Sequence, residues 1–542
     1  MDGQYTAEQL NNLNREELVS LVLSMQEKTL SMDQKLQLIL EQLAVQKHGR
    51  FGQSSEKLLT PGQLRFLESD GQIFINEAEA VVDAEEPEEE PAPPRKHTPR
   101  PKGKRAEDLS HLPTLPISHE MTEEELAAEF GDHHYRRLPD EIYHRLRFTP
   151  AKVEREEHHI AVYADTKDSS HIVKAPHPAT LLTNSLASPS IVSGVINAKY
   201  VNGVPLYRQE QEMSRQGIPI SRQDMASWVI RCGERYLKQV YDCLHQKLYD
   251  YHVLQADETP FLVNKDGRDA GAKSYMWVYR TGKYYRERPI VLYEYQATRR
   301  ADHPKEFLRD FHGICVTDGY QVYHTVEGML KDLTIAGCWS HARRKFTESE
   351  QALPKNKRGH SIAHKALLQI QAIYREEDKL KDFPPEERKN IRQLTVKPLV
   401  DAYFAWVKQE MPKTLSGSKT YKGMQYSLNQ EEYLRVFLTD GEVPMDNNTA
   451  EQTIRPFCVG KKNWVMIDTV SGARVSAVIY SLVETAKANN LNPYEYFNYL
   501  LEEIPRHQMY GDTSYLEDLM PWSDKLPDIC KTRRFSKINA AD

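Results

Sequence analysis

The chain has 542 residues, 39% hydrophobic and 27% charged, with a formal net charge of -7. That size and composition fit a multidomain globular chain and exclude a wholly disordered one. There is no run of about 18 apolar residues to offer a membrane span, and the six scattered cysteines (Cys232, Cys243, Cys315, Cys338, Cys458, Cys530) read as reduced thiols rather than a disulfide framework.

The first residues, MDGQYTAEQLNNLNREELVS, lack the basic-then-apolar form of a secretory signal, so a cytoplasmic protein is expected. Residues 1–47 are expected to form a coiled-coil helix. Leu18, Met25, Met32 and Ile39 are seven apart, and Val22, Leu36 and Leu43 fill the interleaved positions. A single amphipathic helix lying on the chain's own core is the other reading of that pattern. Residues 48–76 read as a short helical segment starting at Thr60-Pro61, with Arg50 and Lys57 either touching DNA phosphates or facing water.

Residues 77–107 are a Pro-rich linker. Its stretch 77–94 holds eight acidic and no basic side chains, and the next eleven residues hold six basic and no acidic ones. Without those eight acids the rest of the chain carries +1, so the global sum hides basic surfaces suited to a DNA backbone. Residues 108–178 contain nine of the twenty histidines and no cysteine. Paired histidines on a strand point to opposite faces and cannot chelate one ion. A small β-rich domain with no structural zinc is expected, with strands in RLRFTPAKVEREEHHIAVYA.

Residues 179–245 suggest a helix-turn-helix. Leu206, Tyr207, Gln211 and Met213 lie on a first helix, Gly217 breaks it, and Ser221 with Asp224 forms a capping box for a second. Arg222 and Gln223 then stand near the second helix's start, where a DNA contact would sit, although plain helical hairpins share the pattern.

From residue 246 the pattern becomes apolar strands ending in polar turns. YHVLQADETPFLV places Asp257 after an apolar run. KSYMWVYRT and RPIVLYEYQAT read as antiparallel neighbours, a short helix follows near Pro304–Phe311, and GICVTDGYQVY places Asp318 at another strand end. Two such aspartates are what a two-metal phosphoryl-transfer site needs, because Mg²⁺ wants hard oxygen ligands held rigidly. A lone strand-end Asp is more often a turn residue.

In MDNNTAEQTIRPFCVGKKNW, Asn448 and Glu451 fit an N-cap and its capping-box partner, and Arg455 is spaced for an ion pair with Glu451. Glu451 is also a candidate third metal ligand, with Asp446 its rival. Glu258 ranks behind Asp257 because neighbours on a strand face opposite ways.

QADETP, VTDGYQVY, GCWSHARRKF and MDNNTAEQTIRPFCVGKKNW, in that order between about 180 and 500, together resemble the insertion sequence 66 family of bacterial transposases; GRFGQSSEKL near the start resembles it too. The resemblance implies a DDE transposase with an RNase H-like α/β core and a mixed sheet. It carries the three acids onto Asp257, Asp318 and Glu451, holding Mg²⁺ with Mn²⁺ as a substitute. Cys338-x-x-His341 is half of a zinc pattern with no second half, so no metal is expected there; the resemblance implies instead a structural or DNA-positioning motif that includes His341, with Arg343, Arg344 and Lys345 as phosphate contacts. Arg455, Lys461 and Lys462 are candidate phosphate contacts near Glu451.

The expected core runs over 246–348 and 441–490, because the 133 residues between Asp318 and Glu451 are too many for one crossover. A helical insertion therefore occupies 349–440, and a helical tail 491–542, giving a multidomain α+β protein. Relatives often carry a Cys-rich zinc finger where this chain has 108–178, so zinc-dependent end recognition is not expected here.

The expected partners are double-stranded DNA, a second copy of the chain through the coiled coil, and accessory transposon proteins, in a bacterial cytoplasm at the nucleoid. A catalytically silent transposase-derived DNA-binding protein is the alternative. A nuclease cutting RNA–DNA hybrids fits less well, given the coiled coil and the long insertion.

Overall fold

The computed structural model describes residues 15, 17–26, 67–69, 72–74, 122–130, 152–164, 172–175, 180–269, 271–353, 358–507 and 514–532. Two units separate: one takes in 1–63, 67–77 and 179–532, the other 64–66, 78–178 and 533–542. In the second unit, Glu123–Phe130 is a helix and Val162–Ala164 pairs antiparallel with Ile172–Lys174. Of the strands expected over 145–164, residues 145–151 lie outside the described residues, and among the described ones only Val162–Ala164 is strand. The linker at 77–107 lies outside the described residues.

In the first unit, residues 17–26 are helical, with Val19, Val22, Leu23 and Met25 exposed. The rest of the expected coiled coil, Arg15 apart, lies outside the described residues, as does the Thr60-Pro61 helix start. Within 48–76 the described residues are strands rather than helix. Leu67–Ser69 pairs antiparallel with Gln72–Phe74, and the intervening Asp-Gly is the dipeptide that two-residue hairpins favour.

From residue 180 to the main sheet the described residues form the α-helices α1 (Pro189–Ile196), α2 (Leu206–Arg215), α3 (Arg222–Cys232) and α4 (Lys238–Leu248). The expected helix-turn-helix pattern is present. Gly217 turns with φ +75°, a conformation glycine adopts without a Cβ clash. Ser221 and Asp224 then cap α3 reciprocally.

The sheet is built from β1 (Val253–Lys265), β2 (Lys273–Thr281) and β3 (Val291–Gln296), an antiparallel meander with Asp257 opposite Val278 and Trp277 opposite Glu294. Helix α5 covers Asp302–Phe307, shorter than expected. Strand β4 (Gly313–Val316), helix α6 (Gln321–Glu327) and strand β5 (Leu333–Ala336) follow, and both strands run parallel to β1. The spatial order is β3-β2-β1-β4-β5.

A helical layer then interrupts the sheet: α7 (Trp339–Gln351), α8 (Ile362–Asp378), α9 (Pro385–Ile391), α10 (Lys397–Glu410), α11 (Lys419–Asn429) and α12 (Glu431–Arg435). It has its own core around Trp339, Phe346, Ile370, Tyr403 and Phe404. The insertion therefore begins at Trp339 rather than at 349, because the buried face of α7 belongs to this second core.

The chain returns through α13 (Asn448–Trp464), β6 (Ile467–Thr469), α14 (Val470–Ala488) and α15 (Pro493–His507). Strand β6 pairs parallel with the far end of β1. Helix α14 closes the edge of β3: Ser481 Oγ accepts from the Tyr293 amide at 2.7 Å, and Thr485 exchanges hydrogen bonds with both backbone groups of Val291. An edge strand with its backbone groups satisfied offers no template for pairing with another chain.

Glu294 on β3 is a half-buried acid, with its Oε2 shut off from solvent. Burial pushes its carboxyl up to about 8, and Glu306 adds to the rise. A raised acid favours the fold below its unfolded pKa, and that contribution is lost as pH climbs through about 8. The unfolding free energy read from urea denaturation should therefore fall between pH 5 and 8, by up to about 1.4 kcal/mol per pH unit from this group. Glu294→Gln should flatten that slope; an unchanged slope would refute the assignment.

Candidate active site

Strand β1 has β4 beside it only over Val253–Gln255 and β6 only over Val263–Lys265. Between those contacts the strand's free edge is met by α13. Asn447 Nδ2 donates to the Ala256 carbonyl at 2.7 Å, and Lys461 Nζ donates to the Pro260 carbonyl at 2.8 Å. Two side chains thus do the work of a missing strand, and they fix the helix carrying Glu451 against the strand carrying Asp257.

Asp257 lies within β1 rather than at its end, because the ladder with β2 continues to Leu262. It is half-buried, and its Oδ1 accepts the Glu258 amide. Burial raises its carboxyl well above the usual range, and the charges of Glu258, Asp318 and Glu451 raise it further.

Asp318 stands two residues past β4. Its Oδ1 accepts the Tyr320 amide at 3.0 Å, closing a tight turn at Gly319. A Cβ on Gly319 would lie 2.6 Å from the Tyr426 hydroxyl of α11, so the helical layer presses directly on this turn. Burial raises Asp318 too, and Glu258 adds to it, while His341 and Arg299 pull it down.

Glu258 faces away from Asp257, as the strand alternation requires. It is fully buried, pairs with Arg299 and accepts from the Tyr323 hydroxyl at 2.6 Å. Arg299 in turn stacks on Tyr320, 3.4 Å from the ring centre. Glu258 braces the Asp318 turn from beneath.

Glu451 sits in the first turn of α13. Arg344 Nη2 donates to its Oε2 at 2.9 Å, and His341 Nδ1 lies 3.5 Å from its Oε1. This corrects two expectations. The capping box at Asn448 is not formed, because Asn448 is already helical and the cap residue is Asn447, whose side chain reaches β1 instead. Arg455 is not Glu451's partner, because Arg344 of α7 takes that carboxylate.

Asp446 is buried. Its Oδ1 accepts the Asn448 amide at 3.2 Å, so it serves the helix start. The asparagine link is testable. Asn447→Ala would leave the Ala256 carbonyl without this donor, at a cost of about 1–3 kcal/mol. It should also lower turnover by about a hundredfold if the helix shifts by about 1 Å. Wild-type stability and turnover together would contradict this.

Among the DNA-contact candidates, Arg222, Gln223, Arg343, Lys345 and Lys462 have exposed side chains, and Arg455 is half-buried. His341 and Arg344 both face Glu451. Lys461 anchors α13 to β1 through Pro260. None of these contacts is visible in the sequence, because Arg344 and Glu451 stand 107 residues apart.

Among the described residues, the side chains whose ligand atoms all lie within 4.8 Å of one another are Cys338, His341 and Glu451; Asp257 and Asp318 lie outside that group. Glu451 Oε1 is buried and forms no hydrogen bond, and Asp257 is repelled by its acidic neighbours, so a cation would answer both.

Three family models match this chain. Residues 184–475 match the model described as Transposase IS66 family, residues 481–522 the IS66 C-terminal element, and residues 39–114 Transposase C of IS166 homeodomain. Uncharacterized proteins of Sinorhizobium fredii are also similar. One, y4qI, is 30% identical over 366 residues, covering 66% of this chain and 66% of that protein. Another, y4jD, is 26% identical over 377 residues, covering 68% of this chain and 72% of that protein. The chain thus spans about two thirds of the length of these relatives.

Proposed function

Because the chain belongs to the IS66 family of transposases, we propose that it cuts phosphodiester bonds at the ends of its own element and joins the freed 3'-hydroxyl to target DNA. The observation that carries this reading is that the elements bearing Asp257, Asp318 and Glu451 are neighbours: β4 pairs with β1, and Asn447 and Lys461 tie α13 to the same strand's edge. The strand order β3-β2-β1-β4-β5, with the first three strands antiparallel and the last two parallel to β1, supports an RNase H-like core.

Asp257 and Asp318 would hold Mg²⁺, or Mn²⁺ in its place, with Glu451 as the third carboxylate. A bound divalent cation supplies an activated water and charge stabilisation at the phosphorus. The protein's own part is positioning. Arg344 orients Glu451, Asn447 and Lys461 hold its helix on β1, and the Glu258–Arg299 pair supports the Asp318 turn. Exposed Arg343, Lys345 and Lys462, with Arg455, would grip phosphates, and Arg222 and Gln223 on α3 would dock DNA. The exposed apolar residues of helix 17–26 support a coiled coil that pairs two subunits, as joining two DNA ends demands. The site of action would be the bacterial cytoplasm, at the nucleoid.

The test is a plasmid carrying the element, incubated with the full chain and Mg²⁺. Nicks should map to the element's ends, and joined products should follow. DNA binding with no cleavage under any divalent ion would instead support a silent, DNA-binding role.

A further inference from the structure

We propose that His341 is a further ligand of this site, its Nδ1 sharing with Glu451 Oε1 the divalent cation that Glu451 holds. The inference rests on the acidic-site reading above and adds a nitrogen donor to it.

The geometry starts on α7, where His341 and Arg344 are three residues apart and share a face. Arg344 takes Glu451 Oε2 at 2.9 Å, which leaves Oε1 turned to His341 Nδ1 at 3.5 Å. Both of those atoms are shut off from solvent, and neither makes a hydrogen bond. A buried polar atom left unpaired costs about 1–3 kcal/mol, so two facing one another call for a shared partner. Neighbouring donors around one octahedral ion, each about 2.1 Å from it, lie about 3 Å apart. A shift of a few tenths of an ångström closes 3.5 Å to that spacing. The charge of Asp318 also acts on the imidazole.

The other neighbours are accounted for. Cys338 Sγ lies within 4.8 Å of the His341 and Glu451 donor atoms, but it accepts the Asn447 amide at 3.1 Å, and a hard ion takes oxygen and nitrogen before a thiol. Arg344 Nη1 stands 3.5 Å from His341 Nε2, at the outer limit of a hydrogen bond. Coordination through Nδ1 puts the proton on Nε2. That contact is the one that yields, while Arg344 stays held by Oε2.

A nitrogen donor favours transition ions over Mg²⁺, so Mn²⁺ should bind more tightly than Mg²⁺. The test loads the untagged full chain with one equivalent of Mn²⁺ and reads electron spin echo modulation. An imidazole ¹⁴N signal is expected, converting to the ¹⁵N pattern when histidine is isotopically labelled, an arm that needs no variant. His341→Gln should abolish the signal and weaken Mn²⁺ binding by about tenfold or more. Mn²⁺ bound at the acidic site without imidazole nitrogen would overturn the proposal and leave the acidic site standing. Mn²⁺ affinity unchanged in Asp257→Asn would overturn both, because the ion would then lie elsewhere.

Discussion

Asp257→Asn, Asp318→Asn and Glu451→Gln should each lower end cleavage and strand transfer by about a thousandfold or more, since losing even one preorganised stabilising group costs about a hundredfold to a thousandfold. The fold should survive. Metal-free Asp257 is held near three other acids, and burial already opposes its charge. Replacing it by a neutral isostere removes that penalty, so the metal-free variant should melt higher than the metal-free wild type at neutral pH. The rise should be about 2–4 °C for each kcal/mol relieved.

The sign follows from linkage. A carboxyl raised in the fold stabilises it below the unfolded pKa, and that contribution is lost as pH rises through the raised value. Inactive and more stable is therefore the expected pairing, read by plasmid cleavage alongside thermal melting in a chelator. Cleavage at wild-type rate in Asp257→Asn would sink the catalytic assignment.

Arg392→Leu should cost about 3–5 kcal/mol, the usual range for removing one partner of a buried ion pair. Arg392 is fully buried and pairs with Glu377 through two of its nitrogens. It also donates to the carbonyls of Phe437 and Asp440, each at 2.7 Å. Its neighbour Arg388 donates to the Gly441 carbonyl at 2.6 Å.

The helical layer thereby holds the segment that leads into α13 and Glu451. Urea denaturation should show the loss, and Arg392→Lys should rescue little of it, because an ammonium cannot reproduce the planar fork. Adding Glu377→Leu should recover part of the loss by removing the stranded carboxylate. A variant as stable as wild type would show that the pair does not hold this layer together.

How much of this was legible in the sequence varies with the range of the interaction. The capping box at Ser221 and Asp224 and the strands of the meander depend on residues a few positions apart, and the structure bears them out. The helical character of the insertion was also legible from amphipathic spacing. Its start at Trp339 was not, because only the packing of Trp339 and Phe346 against α8, α10 and α11 assigns α7 to that layer. Asp257 reads as a strand-end residue in the sequence because it follows a short apolar run. The ladder with β2 carries the strand through Thr259 and Pro260, and Lys461 takes up the Pro260 carbonyl.

By itself, then, the sequence determined the order of elements, the family motifs and the candidate acids, all of which rest on local spacing and residue chemistry. The tertiary structure alone decided what those acids touch. Arg344 rather than Arg455 holds Glu451, Asn447 ties its helix to β1 instead of capping it, and Asp446 is drawn away to the helix start. The physical reason is that a buried charge or an open strand edge must be satisfied by whatever the fold brings near, and along the chain those partners stand more than 100 residues away.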